Sequence, residues 1–141
     1  MIGAGLEQIP AIQKAKDMGL FVLASDYDRN APGLRLADDF IIASTFDPKK
    51  TTTEAIKYNN IKHKIDGVMT CGIDVPHTVA EVACALKLAS VSKTAARIST
   101  NKYLMKTLFK KNAIGVPWFK KITSLNEIQK TIKKRGYPLV Q

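Results

Sequence analysis

The residues best suited to binding chemistry follow short apolar runs, where buried strands are predicted to end. Gly3-Ala4-Gly5 forms a glycine turn, Asp26 follows the apolar run 20–24, and Asp74 follows the run 65–71. Because open α/β sheets bind ligands beyond the carboxyl ends of their strands, we expect these loops to meet in one ligand site. The residues expected there are Gly5, Glu7, Gln8, Asp26 and Asp74. A capping role is the alternative for the two aspartates.

The turn from Gly3 to Gln8 resembles the dinucleotide fingerprint G-x-G-x-x-G, except that Gln8 stands at the position of the third glycine. That glycine lets helix and strand pack closely around a pyrophosphate, so Gln8 argues against a bound NAD. Free backbone N–H groups of the turn still point above the sheet, which leaves anion binding open. An NAD(P)-binding oxidoreductase domain therefore stays as an alternative.

The cysteines and histidines indicate neither a catalytic group nor a metal centre. Cys71 ends a predicted strand and Cys84 lies inside a predicted helix, and the sequence places no base beside either thiol. A nucleophilic thiol needs a lowered pKa, so a small buried side chain is the expected role of both. His77, at a predicted helix start, lacks a partner carboxylate. We expect no catalytic residue and no metal site in this chain.

Strand and helix patterns alternate along the first part of the chain without hairpin signals. Short continuous apolar runs predict buried strands at 20–24, 40–43 and 65–71. Helical periodicity and capping residues predict helices at 6–17, 48–58 and from 75 or 76 to about 88. Parallel strands joined by helices are typical of an α/β fold with a doubly wound, Rossmann-like sheet.

The pattern changes beyond residue 92, where two helices are predicted in succession at 93–98 and 101–112. A strand at 118–122 and a helix ending at 133–135 follow, and Ser124 and Glu127 form a capping box at the start of that helix. A further strand begins at Tyr137. We therefore divide the chain into a first domain, residues 1–92, and a second region of linker helices and the start of an α+β domain, residues 93–141.

The chain carries a net charge of +10, with lysine doublets spread along its length. A lysine-rich solvated face or affinity for small anions is the favoured interpretation, because the basic residues are not interleaved with aromatic ones as in RNA-binding modules. A basic nucleic-acid-binding or interaction module stays as the second alternative. The apolar fraction of 45% predicts a globular protein, and no run is long enough for a membrane helix. Cytoplasmic location is the expectation.

Taken in order, these segments resemble the ATP-grasp superfamily. The glycine turn with Ile9-Pro10, the loop 26–33 and the segments Ile65-Asp66-Gly67-Val68 and Asp74-Val75-Pro76 are similar to the domain preceding the grasp in carbamoyl-phosphate synthase large-subunit-like proteins and in purine-pathway carboxylases and ligases. Thr100-Asn101-Lys102-Tyr103-Leu104-Met105-Lys106 resembles the D-K-x-x-M/F-K helix of the family, with asparagine replacing the usual aspartate. The segments 115–117 and 136–140 resemble the strands that follow it.

The resemblance implies an activity, cofactors and partners. ATP would phosphorylate a small carboxylate or bicarbonate, and an amine would attack the acyl phosphate. Lys102 corresponds to the first nucleotide-binding lysine of the family, and an ammonium is well suited to bind phosphate. The loops carrying Gly5, Glu7, Gln8, Asp26 and Asp74 would shape the acceptor-substrate site. A homodimer belongs among the expected partners, whereas membrane and nucleic acid do not.

Both ends of the sequence predict that it is a piece of a longer protein. Only Met1-Ile2 precede the glycine turn, so we expect the natural chain to start several apolar residues upstream. In the family, a second phosphate lysine, the glycine-rich flap and the Mg²⁺ ligands follow the point corresponding to Gln141. Phosphoryl transfer depends on positioning and metal-assisted charge neutralisation, so we expect the 141-residue piece to have no ligase activity by itself.

Overall fold

The computed structural model describes residues 1–136, which fall into two compact units. The first unit is Met1–Thr100, and the second begins at Asn101. The predicted strand from Tyr137 onward lies outside the described residues. None of the helices in residues 1–136 is long and apolar enough to cross a membrane.

Parallel chain segments form the centre of the first unit. Strands β1 (Leu23–Asp26) and β2 (Asp39–Ile42) pair in parallel, with Leu23 opposite Asp39. Ile2 makes single parallel bridges to Ser25 on one side and to Thr70 on the other. The segments therefore lie side by side in the order β2, β1, Ile2 and Thr70, and the small sheet is parallel as expected.

The predicted strand bounds are wrong at two places in the first unit. β1 starts at Leu23 rather than at Leu20, because the Leu20 N–H still closes the preceding helix on the Ala15 carbonyl at 3.1 Å. The predicted strand 65–71 is reduced to the bridge at Thr70. A strand exists only where a neighbour supplies hydrogen-bonding partners, and the backbone beside residues 65–68 has none among the described residues.

The helices of the first unit begin near the residues that capping rules predict, but the helices predicted at 48–58 and at 76–88 each end about three residues away from the predicted end. The segment predicted as one helix divides into a 3-10 helix (Leu6–Gln8) and α1 (Ile9–Asp17), which Gly19 ends at φ +75°. A second 3-10 helix spans Pro32–Arg35. The longer helices are α2 (Pro48–Ile61), α3 (Pro76–Ala85) and α4 (Lys93–Thr100). A proline in the first turn of α1, α2 and α3 removes only an N–H that would lack a helical partner.

Two apolar clusters hold these elements against the parallel segments. One joins Ile2 to α2 and α3 through Ala55, Val75, Val79 and Val82. The other consists of Ala4, Ala24, Ala31 and Leu34. Helix α3 also packs against α4, and Lys93 Nζ lies 2.5 Å from a carboxylate oxygen of Glu81. Helix α4 thus packs within the first unit, while the predicted division at residues 92 and 93 stays a prediction.

The second unit contains α5 (Lys102–Lys111) and α6 (Leu125–Arg135). The Ser124 hydroxyl accepts the Glu127 N–H at 3.3 Å, as the capping box predicts. The Glu127 carboxylate, however, accepts from the N–H of Thr123 at 2.7 Å, one residue earlier than the predicted partner. This hydrogen bond holds the pKa of the Glu127 carboxyl below its usual range. The predicted strand 118–122 is absent, because no described segment pairs with it.

Candidate functional site

The glycine turn after Ile2 is closed by its own residues. Gln8 is only 5% exposed, and its side chain folds back over the turn. Gln8 Oε1 accepts the Gly5 N–H at 2.8 Å, and Gln8 Nε2 donates to the carbonyl of Cys71. The amide of Gln8 therefore joins the turn to the loop that follows Thr70.

The Asp26 carboxylate, at the end of β1, also joins two loops through hydrogen bonds. Its Oδ2 accepts the Ala4 N–H at 2.9 Å, and its Oδ1 accepts the Asp28 N–H at 3.1 Å. The residue is only 9% exposed. A buried carboxylate requires such donors to offset its desolvation, so one role of Asp26 is to fix two neighbouring loops.

The loop that follows Thr70, residues 71–75, packs against Glu7 and Gln8, the residues just after the glycine turn. Gly72 has a φ of +66°, and a Cβ placed on it would lie 2.8 Å from the Cβ of Glu7 and 3.1 Å from Nε2 of Gln8. Only a glycine satisfies both the backbone conformation and this close approach. The loop therefore sits against Glu7 and Gln8 at the carboxyl ends of the parallel segments.

The structure brings most of the residues predicted at the site together. Gly5, Glu7, Gln8 and Asp26 are joined by hydrogen bonds and loop contacts around the glycine turn. Asp74 is exposed on the loop that carries Gly72, just before α3. Lys102 is the exposed first residue of α5, in the second unit. The binding roles of all six residues stay predictions.

Two contributors to this arrangement were missed in the sequence. Gly72 and the Cys71 carbonyl hold the turn through contacts between segments far apart in the chain. The Cys71-Gly72 pair at the end of an apolar run was the available signal, because glycine after a strand often marks close backbone approach. The thiols of Cys71 and Cys84 are free and both residues are exposed, which corrects the expectation that they are buried.

The glycine turn does not offer an open cradle for an anion. The N–H of Gly3 donates to the Ser25 carbonyl at 2.8 Å, that of Ala4 to Asp26, and that of Gly5 to Gln8. Anion binding by these three N–H groups, which the sequence left open, would require breaking internal hydrogen bonds. Exposed carboxylates at this edge lie on Glu7, Asp28 and Asp74, and the same loops also expose Arg29 and His77.

The charge pairs that shift pKa values lie away from this edge. Tyr58 on α2 donates to the Asp39 carboxylate at 3.0 Å, and burial together with this hydrogen bond raises the Tyr58 pKa to about 12. Lys62 also contacts Asp39, at 2.8 Å, and holds the pKa of that carboxyl below its usual range. No group of three His, Cys, Asp or Glu side chains within residues 1–136 could hold a metal ion.

Comparison with known proteins finds similarity in solved structures alone. No protein-family model matches the chain, and no curated protein matches it significantly. Phosphoribosylglycinamide synthetase from Anaerococcus prevotii is 25% identical with a TM-score of 0.74, over 94% of this chain and 33% of that one. N5-carboxyaminoimidazole ribonucleotide synthetase from Thermotoga maritima is 23% identical with a TM-score of 0.68, over 97% of this chain and 36% of that one.

A third similar structure, N5-carboxyaminoimidazole synthetase from Staphylococcus aureus complexed with ADP, is 23% identical with a TM-score of 0.67. The match covers 97% of this chain and 35% of that one. These structural neighbours are ATP-grasp carboxylate–amine ligases, which confirms the resemblance drawn from the sequence. The chain spans about a third of their length.

Proposed function

We propose that this chain is the N-terminal, substrate-side part of an ATP-dependent carboxylate–amine ligase. The observation that carries the proposal is the match to phosphoribosylglycinamide synthetase over 94% of the chain at a TM-score of 0.74. In the proposed reaction, ATP phosphorylates a carboxylate or bicarbonate, and an amine attacks the acyl phosphate. The particular likeness to carbamoyl-phosphate synthase, the cytoplasmic location and a homodimer remain predictions.

The order of the parallel segments supports a doubly wound pre-ATP-grasp domain. The chain passes from Ile2 to β1 and β2 on one side, then returns to pair with Ile2 on the other side at Thr70. This reversal makes Ile2 the switch point of the sheet. Ligands of doubly wound sheets bind beyond the carboxyl ends of the strands at the switch point. The turn that follows Ile2 lies there.

The side chains of the loops at the switch point suit an acceptor substrate that carries hydrogen-bond donors. Gln8 and Asp26 are buried and hold the loops, whereas Glu7 and Asp74 are exposed. We assign the exposed carboxylates to the N–H or O–H groups of the acceptor substrate, because an ionised carboxylate only accepts hydrogen bonds. Gly5, Gln8 and Asp26 then support the site by fixing the turn.

Lys102 is the residue of the second unit that we propose to contact ATP. The Asn101 side chain accepts the Leu104 N–H at 3.0 Å, so asparagine caps α5 where the family has aspartate. The ammonium of Lys102, at the next residue, is exposed and suited to a phosphate oxygen. Mg²⁺ does not fit the described residues, because they hold no suitable ligand group. Its ligands are proposed to lie outside them, and the isolated chain is proposed to be inactive.

The glycine turn gives little support to an NAD(P)-binding domain. A dinucleotide site needs free N–H groups and close helix approach at this turn. Here the Gly5 N–H is occupied by the very side chain that replaces the third glycine. An NADH fluorescence titration that shows saturable binding would favour the oxidoreductase over the ligase.

The ligase proposal is tested on a protein that carries this chain together with a complete grasp domain. Carboxylates, bicarbonate among them, are screened with amines while ADP release is followed. We expect ADP release that requires both substrates, with ¹⁸O passing from the carboxylate to phosphate. ADP release that needs neither an acid nor an amine would contradict the proposal.

Lys102→Ala tests the nucleotide contact in the same protein. Loss of a charge-assisted hydrogen bond to phosphate costs about 1.5–3 kcal/mol, so kcat/KM for ATP is expected to fall roughly 10- to 100-fold. Lys110→Ala, at the other end of the same helix, is the matched control. Equal losses in the two variants would show that Lys102 has no special role.

A further inference from the structure

The positive charge of the chain is concentrated in its second unit. Ten of the 22 Lys and Arg residues, but only one of the 12 Asp and Glu residues, lie within 101–141. That one carboxylate, Glu127, already accepts hydrogen bonds from the N–H and the hydroxyl of Thr123, at 2.7 and 2.9 Å. The ion pairs formed within residues 1–136 all belong to the first unit. Most cations of the second unit therefore have no carboxylate of that unit to neutralise them.

A depression in the second unit, about 230 Å³ in volume, gathers four of these cations around the single tryptophan of the chain. It is lined by Trp118, Lys120, Lys130, Thr131, Lys134 and Arg135. Trp118 is 46% exposed, and the guanidinium carbon of Arg135 lies 3.8 Å from the centre of its ring. A guanidinium stacked on an aromatic ring keeps its N–H donors in its own plane. Arg135 can therefore stack on Trp118 and bind a phosphate at the same time.

Neighbouring side chains of the segment before α6 make contacts with different helices. Phe119 packs edge-to-face on Tyr103 of α5, with ring centres 5.8 Å apart. Trp118 and Lys120, on either side of Phe119 in the chain, line the depression together with residues of α6 instead. The aromatic ring and the cations are thus brought together by packing of this segment, and not by a basic and aromatic repeat in the sequence.

The two lysines of α6 that line the depression, Lys130 and Lys134, are four residues apart and so share one face of the helix. Like charges at this spacing repel one another. The helix dipole stabilises cations in the last turn, residues 133–135, but it does not account for Lys130 or for Lys120, which lie outside that turn. An anion bound between these groups would offset their mutual repulsion.

The size and the donors of the depression favour an extended polyanion over an enclosed small molecule. Pockets that bury a small ligand have volumes of about 300–1,000 Å³, which is more than this depression offers. The Thr131 hydroxyl donates to the Glu127 carbonyl at 2.7 Å, so the ligand-facing donors are the cationic ones. Lys102, which we propose to contact ATP, is not among the lining residues.

We propose that this depression is a contact point for single-stranded nucleic acid, with a base stacked on Trp118 and the adjacent phosphates bound by the four surrounding cations. An exposed aromatic ring beside a row of Lys and Arg is the arrangement that binds such strands without reading their sequence. The proposal departs from the sequence-based expectation that nucleic acid is not a partner. That expectation compared residues along the chain, whereas this cluster is formed by residues from two separate segments.

Because Trp118 is the only tryptophan, its fluorescence reports directly on the proposed site. The 141-residue chain is titrated with an oligothymidylate of about twelve nucleotides, and in parallel with inorganic polyphosphate of matched charge. The oligonucleotide is expected to quench the fluorescence saturably, with an affinity that falls as salt is added. Polyphosphate has no bases to stack and is expected to leave the fluorescence nearly unchanged.

Two double variants with the same change in net charge separate this site from general attraction to a basic chain. Lys130→Ala with Lys134→Ala removes two exposed cations of the depression, and Lys110→Ala with Lys111→Ala removes two from the end of α5. Fluorescence anisotropy of a labelled oligothymidylate measures binding. The first variant is expected to bind at least about tenfold more weakly, with a salt slope lower by about 1.4 for two lost phosphate contacts. The control is expected to change affinity by less than about threefold.

Trp118→Leu, followed by the same anisotropy measurement, is expected to weaken binding roughly tenfold, since it removes the stacking surface but no charge. The proposal is overturned if the oligonucleotide fails to quench Trp118, or if polyphosphate quenches it to the same extent. Equal affinities of the two double variants would also overturn it, because binding would then follow net charge alone.

Discussion

Gln8 shows how one side chain can close a turn that otherwise looks ready for a ligand. Its amide supplies an acceptor to Gly5 and a donor to Cys71, two groups 66 residues apart in the chain. A glycine at this position could make neither hydrogen bond. Gln8, which stands where the dinucleotide fingerprint has its third glycine, therefore also stabilises the loops at the proposed substrate site.

Gln8→Ala is expected to lower the free energy of unfolding by about 1–3 kcal/mol, because it removes both hydrogen bonds of a buried side chain and leaves the partly buried Gly5 N–H and Cys71 carbonyl without these partners. Urea denaturation followed by circular dichroism measures the change. Gln13→Ala, on the exposed face of α1, is the matched control and is expected to change stability by less than about 0.5 kcal/mol. Similar losses in both variants would mean that the Gln8 amide does not hold the turn.

Asp26→Asn separates the structural role of this carboxylate from a role in binding. Asparagine keeps one acceptor oxygen but presents an NH₂ group to the second N–H, so one of the hydrogen bonds from Ala4 and Asp28 is lost. Unfolding free energy is expected to fall by about 1–2 kcal/mol. Asp74→Asn, on the exposed loop, is expected to leave it unchanged. If Asp26→Asn left the free energy of unfolding unchanged, the structural role of this carboxylate would be contradicted.

Among the contacts between elements, Gly33 of the second 3-10 helix packs closely against the glycine turn and against Ile12 of α1. The Gly33 N–H donates to the Ala4 carbonyl at 2.7 Å, and a Cβ on Gly33 would lie 2.7 Å from that oxygen and 2.8 Å from Cδ1 of Ile12. Neither neighbour can withdraw easily, since Ile12 is fully buried. The glycine turn and the Pro32–Arg35 helix therefore pack at backbone distance.

Gly33→Ala is expected to destabilise the first unit by about 1–3 kcal/mol through overpacking. Gly67→Ala is the control, because a Cβ there meets nothing within 4 Å. Because the φ of Gly67 lies outside the left-handed region, Gly67→Ala is expected to be neutral or stabilising by up to about 1 kcal/mol. Thermal unfolding of the two variants checks both signs. The packing argument fails if Gly33→Ala melts at or above the temperature of the parent chain.

The helices of this chain were predictable because their signals are local. Proline in the first turn, the Asp47 carboxylate that accepts the Lys50 N–H, and Gly19 at the end of α1 are all readable from neighbouring residues. Strands β1 and β2 form near their predicted positions, but residues 65–71 and 118–122 do not form strands among the described residues, because strand-like composition is not enough without a neighbour to pair with. The site shows the same division. The glycine turn and Asp26 follow from sheet geometry, whereas the Gly72 contact depends on packing between distant loops.

Across the first unit, the two ends of the parallel segments differ in polarity. The carboxyl end is closed by hydrogen bonds among Gly5, Gln8, Asp26 and Cys71 and exposes acidic side chains. The amino end contains an apolar groove of about 650 Å³, lined by residues 20–23 and 64–69, and the amino group of Met1 lies within it. Burial of this positive charge in apolar surroundings opposes folding, since the charged form is the better solvated one.

The buried amino group makes a prediction about pH. Desolvation lowers the pKa of the Met1 amino group from 8.0 to about 6. Because the folded chain holds this proton more weakly than the unfolded chain, protonation favours unfolding. The penalty is fully present below pH 6, declines as the pH rises, and is absent above pH 8. Two pKa units correspond to about 2.7 kcal/mol, so the free energy of unfolding is expected to rise by up to roughly that amount from pH 6 to pH 8.

Denaturation series at pH 6, 7 and 8 measure this rise, and an N-terminally acetylated chain identifies its source. Acetylation keeps an N–H that can donate to the Leu23 carbonyl but removes the titrating amine, so the acetylated chain is expected to lose most of the pH dependence. Both chains are compared in the His63→Gln background, because His63 also lines the groove. If the acetylated and free chains show the same slope in that background, the amino group is solvated in the folded state, and the groove is more open to water than its apolar walls imply.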